Sequence, residues 1–230
     1  MWQSIYFFPV GSLSDFIKNE LPLFLERNCI SVYFFVLQYE PESHLRLRFL
    51  SQETRFFTDC RHEFVPYEAE EERYGGVDSL FWAEKYFVAS SKLALAFYQQ
   101  EVIKRENFAV LSHLIASKAV KMDIYLAKIF FETVAEQWRT FAPAELATLD
   151  IQPQKAMKDF FELDNVEMEF FKVFEKEITD ILRTLRQILD GDQALFFRIT
   201  VDFIHLTNNR LGIKNEEESY LAALIAVSLA

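Results

Sequence analysis

VYFFVLQYEPESHLRLRFL, residues 32–50, decides the fold of the N-terminal third. Val32 to Tyr39 is an unbroken run of β-branched and aromatic residues, as expected of a buried strand. Glu40-Pro41-Glu42-Ser43 is a turn. His44 to Leu50 then alternates polar and apolar, so it pairs with the first strand as an antiparallel hairpin. Alternation sends Leu45, Leu47 and Phe49 to one face and His44, Arg46 and Arg48 to the other. The apolar face belongs to a core. The other carries two guanidiniums two residues apart, and arginine grips carboxylates through a planar fork. That face is either an acid-binding wall or a solvated sheet surface with ordinary ion pairs.

Working outward, Ile5 to Val10 reads as a further strand. Ser14 is a candidate cap for a helix from Asp15 to Arg27, and Phe64-Val65 marks another strand. Beyond Gly75-Gly76 the pattern changes to helical spacing. Leu80, Phe87, Val88, Leu95 and Val102 form one stripe, and Leu111, Leu114, Met122, Tyr125, Ile129 and Val134 continue it. Phe174, Ile178, Ile181, Leu182, Leu185 and Ile188 form the sharpest one. Pro143 and Pro153 mark a break between helices. Gly191-Asp192 opens a helix that Gly212 ends, and Asn215-x-x-Glu218 resembles a capping box for the last one. The expectation is one α+β domain over residues 1–230: a mixed part with a small antiparallel sheet over 1–76, then a helical majority over 77–230.

Hydrophobic residues make up 51% of the chain, which excludes a disordered polypeptide. A net charge of −11 argues against direct nucleic-acid binding. Cys29 and Cys60 are too few and too isolated for a disulfide framework, and no clustered His/Cys spacing marks a metal site. No signal peptide is visible. The apolar run Tyr220–Ala230 is far shorter than the roughly 20 residues a membrane span needs. A cytoplasmic location is the expectation.

Two more segments carry arranged polar groups. Tyr67-x-x-Glu70-x-x-Arg73-Tyr74-Gly75-Gly76 puts Glu70 and Arg73 three residues apart, side by side on a helical turn. The plain alternative is a surface ion pair. His205-Leu206-Thr207-Asn208-Asn209-Arg210-Leu211-Gly212 sets His205 among apolar residues, with Asn209 one turn on and able to orient its ring. Such a histidine is either a satisfied core residue or a proton carrier lining a cleft. His62 and His113 have no comparable context and read as structural or surface.

Taken in order, HLRLRF (44–49), Y-x-x-E-x-x-RYGG (67–76) and H-x-x-x-NRLG (205–212) resemble the glutamate-elimination domain of lantibiotic dehydratases, also called the thiopeptide-type bacteriocin biosynthesis domain. The resemblance runs from about Trp2 to Leu224, with its specificity in the three motifs. It implies a standalone chain, as in split systems, that expels glutamate from glutamylated Ser or Thr of a ribosomal precursor peptide. The product is dehydroalanine or dehydrobutyrine. The implied catalytic residues are His205, Glu70, Arg73 and Arg48; the implied substrate-binding residues are Arg46, His44, Tyr67, Tyr74, Asn209 and Arg210. No cofactor or metal is implied. The implied partners are the precursor with its leader and a separate tRNA-dependent glutamylating protein. A homodimer is admissible. Two other readings stand beside this one. The first is an enzyme of the small relatives that build the pyridine of thiopeptides and pyritides by formal [4+2] cycloaddition. The second is a non-catalytic leader-peptide-binding subunit. One expectation is spatial: His205 should meet Arg48, Arg73 and Glu70 in a single concave site.

Overall fold

A computed structural model describes residues 2–53, 56–100, 104–139 and 169–229. Val102, Pro143 and Pro153, read above as helix stripe and helix break, lie outside the described residues. Four strands, β1 (Trp2–Phe8), β2 (Tyr33–Gln38), β3 (His44–Leu50) and β4 (Arg61–Phe64), form one antiparallel sheet in the order β2-β3-β1-β4. β3 spans the predicted residues. β1 starts and ends earlier than predicted and leaves Val10 fully exposed. The fold is α+β, as the sequence implies.

The face carrying Leu45, Leu47 and Phe49 is completely buried. Its cover comes from α1 (Leu13–Asp15), a π-helical turn (Phe16–Glu20) and α2 (Leu21–Arg27). Phe24 packs edge-on against Phe7 with ring centroids 4.9 Å apart, and Phe16 lies 5.2 Å from the same ring. The cap is Ser12 rather than Ser14: its Oγ accepts from the Asp15 N–H at 3.0 Å.

A short turn, α3 (Glu71–Tyr74), ends at Gly75, whose φ of +82° suits glycine. A Cβ there would sit 2.8 Å from Leu195 Cδ2, so the helix that carries Leu195 also needs this glycine. The helical part follows: α4 (Val77–Gln100), α5 (Arg105–Ala119), α6 (Ile124–Trp138), α7 (Glu169–Ile188), α8 (Gln193–Arg210) and α9 (Asn215–Ser228). Buried apolar residues from Ile5 to Ala226 make one contiguous core. The capping box of α9 uses Glu217, one residue before the predicted Glu218. Glu217 accepts from the Lys214 N–H at 2.8 Å and from Arg105 at 2.6 Å, while Glu218 turns inward and is fully buried.

The helical layer is bolted to the outer edge of β2. Ser91 Oγ on α4 accepts from the Phe35 N–H at 3.1 Å. Asn209 on α8 makes two bonds to one residue: its Oδ1 accepts from the Leu37 N–H at 2.8 Å, and its Nδ2 donates to the Leu37 carbonyl at 2.9 Å. A side-chain amide thus replaces the next strand of the sheet. Replacing it by an isosteric hydrocarbon orphans a half-buried donor and acceptor. Asn209→Leu is expected to cost about 2–4 kcal/mol, read as a melting-temperature loss of roughly 5–15 °C. Asn209→Asp, which keeps only the acceptor, should fall between.

Candidate functional site

The second face of the hairpin opens into a cavity of roughly 190 Å³. Register explains its floor. β2 pairs with β3 so that Phe34 lies opposite Arg48 and Val36 opposite Arg46, and all four line the space. Tyr67, Glu68, Glu70, Arg73 and Tyr74 form the near wall, and Leu206 and Arg210 of α8 form the inner one. Arg46, Arg48, Tyr67, Glu70, Arg73, Tyr74 and Arg210, drawn from three distant motifs, therefore meet here. The arginine face of β3 is not a solvated sheet surface.

The electrostatics are unbalanced. Arg210 is fully shielded from water. Its Nε donates to Ser91 Oγ at 2.9 Å, while Nη1 and Nη2 find no hydrogen-bond partner among the described residues. Burial without a carboxylate pushes its pKa down to about 9, still high enough to keep the charge at neutral pH. Arg48 is likewise pushed down, first by burial and then by the neighbouring Arg46. Its guanidinium rests over the rings of Phe34 and Tyr67, 5.7 and 5.9 Å from their centroids. A buried charge of this kind costs several kcal/mol, a cost that an incoming anion would offset.

Arg73 is the contrasting case. It donates to Glu70 at 2.8 Å, the predicted pair, but also to Asp202 of α8 at 2.9 Å. Asp202 is the main reason its pKa is raised. This arginine is tied down at the rim, where Glu70 is exposed. Tyr67 donates to Glu84 at 2.7 Å. Its pKa is pushed well up, chiefly by burial and then by that carboxylate, so it stays a neutral phenol. Burial does the same to Tyr74.

Three residues assigned from sequence lie outside the lining. His205 does not join the arginines, which corrects the expectation of one shared site. Its Nδ1 lies 2.8 Å from the buried Glu218, and its ring stacks on Trp138 at 4.5 Å. Leu206, the next residue, takes the wall position because one residue is about 100° of helix. Asn209 orients no imidazole; β2 holds it. His44 is buried behind Arg46: its Nε2 accepts from Arg46 Nε at 3.0 Å, so its Nδ1 carries the proton toward the Glu42 carbonyl 2.8 Å away. It orients a cavity arginine rather than touching the space. His113, read as structural or surface, is fully buried, bonded to Asn208 at 2.8 Å and pushed down in pKa by burial.

Asp202, Ser91 and Glu84 escaped the sequence reading because each acts on a residue far along the chain. Among the described residues, no group of three or more His, Cys, Asp or Glu side chains is placed to hold a metal ion. No described helix is long and apolar enough to cross a membrane.

Residues 2–229 match the family model described as lantibiotic biosynthesis dehydratase C-term, and the chain belongs to that family. Among the solved structures that share its fold are three of related biosynthetic proteins. The tRNA-dependent lantibiotic dehydratase MibB from Microbispora sp. 107891 superposes with a TM-score of 0.73 at 15% identity, covering 98% of this chain but 27% of MibB. TbtD, the pyridine synthase from thiomuracin biosynthesis, gives 0.68 at 10% identity, covering 100% of this chain and 97% of TbtD. TsrL gives 0.68 at 14% identity, covering 99% of this chain and 94% of TsrL. A comparison with curated protein sequences found no match.

The buried charge has a measurable signature. Arg210→Met removes an uncompensated cation at near-constant volume, so the ligand-free protein should gain about 1–3 kcal/mol of stability. L-glutamate should raise the melting temperature of the wild type and leave that of Arg210→Met unchanged. A thermal melt series in glutamate against chloride at equal ionic strength reads both effects.

Proposed function

We propose that this chain eliminates glutamate from glutamylated Ser or Thr side chains of a ribosomal precursor peptide, leaving dehydroalanine or dehydrobutyrine. A separate tRNA-dependent protein supplies the glutamylated peptide. One observation carries the reading: Arg48 and Arg210 present guanidiniums without a carboxylate of their own to a cavity smaller than a drug-sized pocket. Its size and charge suit an amino-acid anion.

In this reading a base takes the α-proton of the modified residue, the electron pair forms the Cα=Cβ bond, and the Cβ–O bond breaks. Glutamate leaves with the bonding electrons as a carboxylate. Arg48 and Arg210 meet the charge that develops on it, in a dry site where a fixed guanidinium acts most strongly. Arg46, oriented by His44, widens the positive wall. Arg73, held by Glu70 and Asp202, shapes the rim. Glu70 lines the cavity and is assigned the α-proton. His205 is assigned a positioning role outside the cavity, its Nδ1 held by Glu218 and its ring by Trp138.

A second reading has its own support. TbtD, a pyridine synthase, is covered over 97% of its length, whereas MibB is covered over 27%. A synthetic peptide with O-glutamyl serine, followed by mass spectrometry, separates the readings. Elimination without any partner protein is the expected result, and Glu70→Gln should slow it by about 10²–10⁴-fold while peptide binding persists. Wild-type speed in Glu70→Gln would reject the base assignment. A chain inert on this peptide that cyclises one bearing preformed dehydroalanines is a pyridine-forming enzyme. Binding with no turnover of either marks an adaptor.

A further inference from the structure

The arginine cavity is lined by charges of both signs, and they do not all neutralise one another. Arg46, Arg48 and Arg210 lie along its floor and inner wall, while Glu68 and Glu70 stand in the near wall. Glu70 is bonded to Arg73 at 2.8 Å. Glu68 differs: among the described residues its carboxylate has no hydrogen-bond or ion-pair partner, although three guanidiniums line the same space.

The arginines are held by neutral groups. Arg46 donates its Nε to His44 at 3.0 Å and lies over the Tyr6 ring, 5.0 Å from its centroid. Arg48 rests on Phe34 and Tyr67, and Arg210 is anchored through its Nε to Ser91. Glu68 is held on the opposite side by its own backbone. Tyr67 before it is tied to Glu84 at 2.7 Å, and Glu70 after it is tied to Arg73. Cations and a free carboxylate therefore face one cavity from separate anchors. A ligand that carries only carboxylates satisfies the arginines and is repelled by Glu68. A ligand that also carries an ammonium group satisfies both.

We propose that Glu68 reads a free α-ammonium group, so that the cavity favours an amino-acid substituent over a plain dicarboxylate. The proposal rests on the reading above, in which the ligand is glutamate borne on a serine or threonine. Transfer from an aminoacyl-tRNA makes the ester through the α-carboxyl, so the amine of that substituent stays free. A neighbouring carboxylate favours its charged form. Glu68 then sets a glutamyl ester apart from the ester of a diacid of equal length.

Isothermal calorimetry with two probes tests this: L-glutamate, and glutarate, which has the same five carbons and no amine. Wild type is expected to bind L-glutamate about tenfold tighter, an effect between that of an exposed ion pair and that of a shielded charge-assisted hydrogen bond. Glu68 is exposed, so Glu68→Gln changes its charge without disturbing the core. In that variant the preference should fall below about twofold, while glutarate binds at least as well as to wild type, because a repulsive charge is gone. Equal affinity for the two probes in wild type overturns the assignment of Glu68 and leaves the anion reading of the cavity standing. A preference that survives Glu68→Gln also overturns the assignment. Binding of neither probe overturns both.

Discussion

The two hydrogen bonds between Asn209 and Leu37 set how the helical layer meets the edge of the sheet. A sheet edge needs a partner for its exposed N–H and C=O groups, and here one amide on a helix supplies it. That fixes the height and rotation of α8 against β2. Successive helical residues diverge by about 100°, so the neighbours of Asn209 are aimed by the same clamp. Asn208 faces inward to His113, and Arg210 swings beneath β3 to Ser91. One dipeptide step on either side of the clamp separates bundle core from binding cavity.

The cavity follows from a conflict that the fold leaves unresolved. Arg210 is locked in place through its Nε, yet both terminal nitrogens face a space with no matching carboxylate. Of the carboxylates close by, Arg73 holds Glu70 and Asp202, and Glu68 lines the cavity as well. Two acidic groups are thus spent on the outer arginine, while the terminal nitrogens of Arg210 bond to no carboxylate among the described residues. A chain of net charge −11 has carboxylates to spare. Leaving two buried guanidiniums without them is what a site for an external anion requires. His44 orients Arg46 through a single hydrogen bond and offers it no carboxylate.

Legibility in the sequence tracked locality. The alternation of His44–Leu50 is strong enough to set both strand ends, because a one-residue slip would bury the arginines and expose three core side chains. Gly212 was readable as a helix end, since positive φ is a local demand, and Gly75-Gly76 marked where helical spacing begins. The start of α9 was misplaced by one residue because Glu217 and Glu218 fit the capping pattern almost equally. Contacts with other elements separate them: Arg105 binds Glu217, and His205 meets Glu218. His205 and Asn209 were correctly put on one helical face, but their partners, Glu218 and Leu37, belong to other elements. Asp202 and Ser91 carried no local signal: what they bind lies 129 and 119 residues away.

The central claim is that the Arg210 guanidinium is kept bare for a carboxylate. A crystal structure of the protein with bound L-glutamate tests it most directly. The account predicts one carboxylate within about 3 Å of both Arg210 Nη1 and Nη2, with Arg48 closing on the same ligand. Glutamate bound elsewhere, with the Arg210 fork bonded to protein carboxylates, would contradict it.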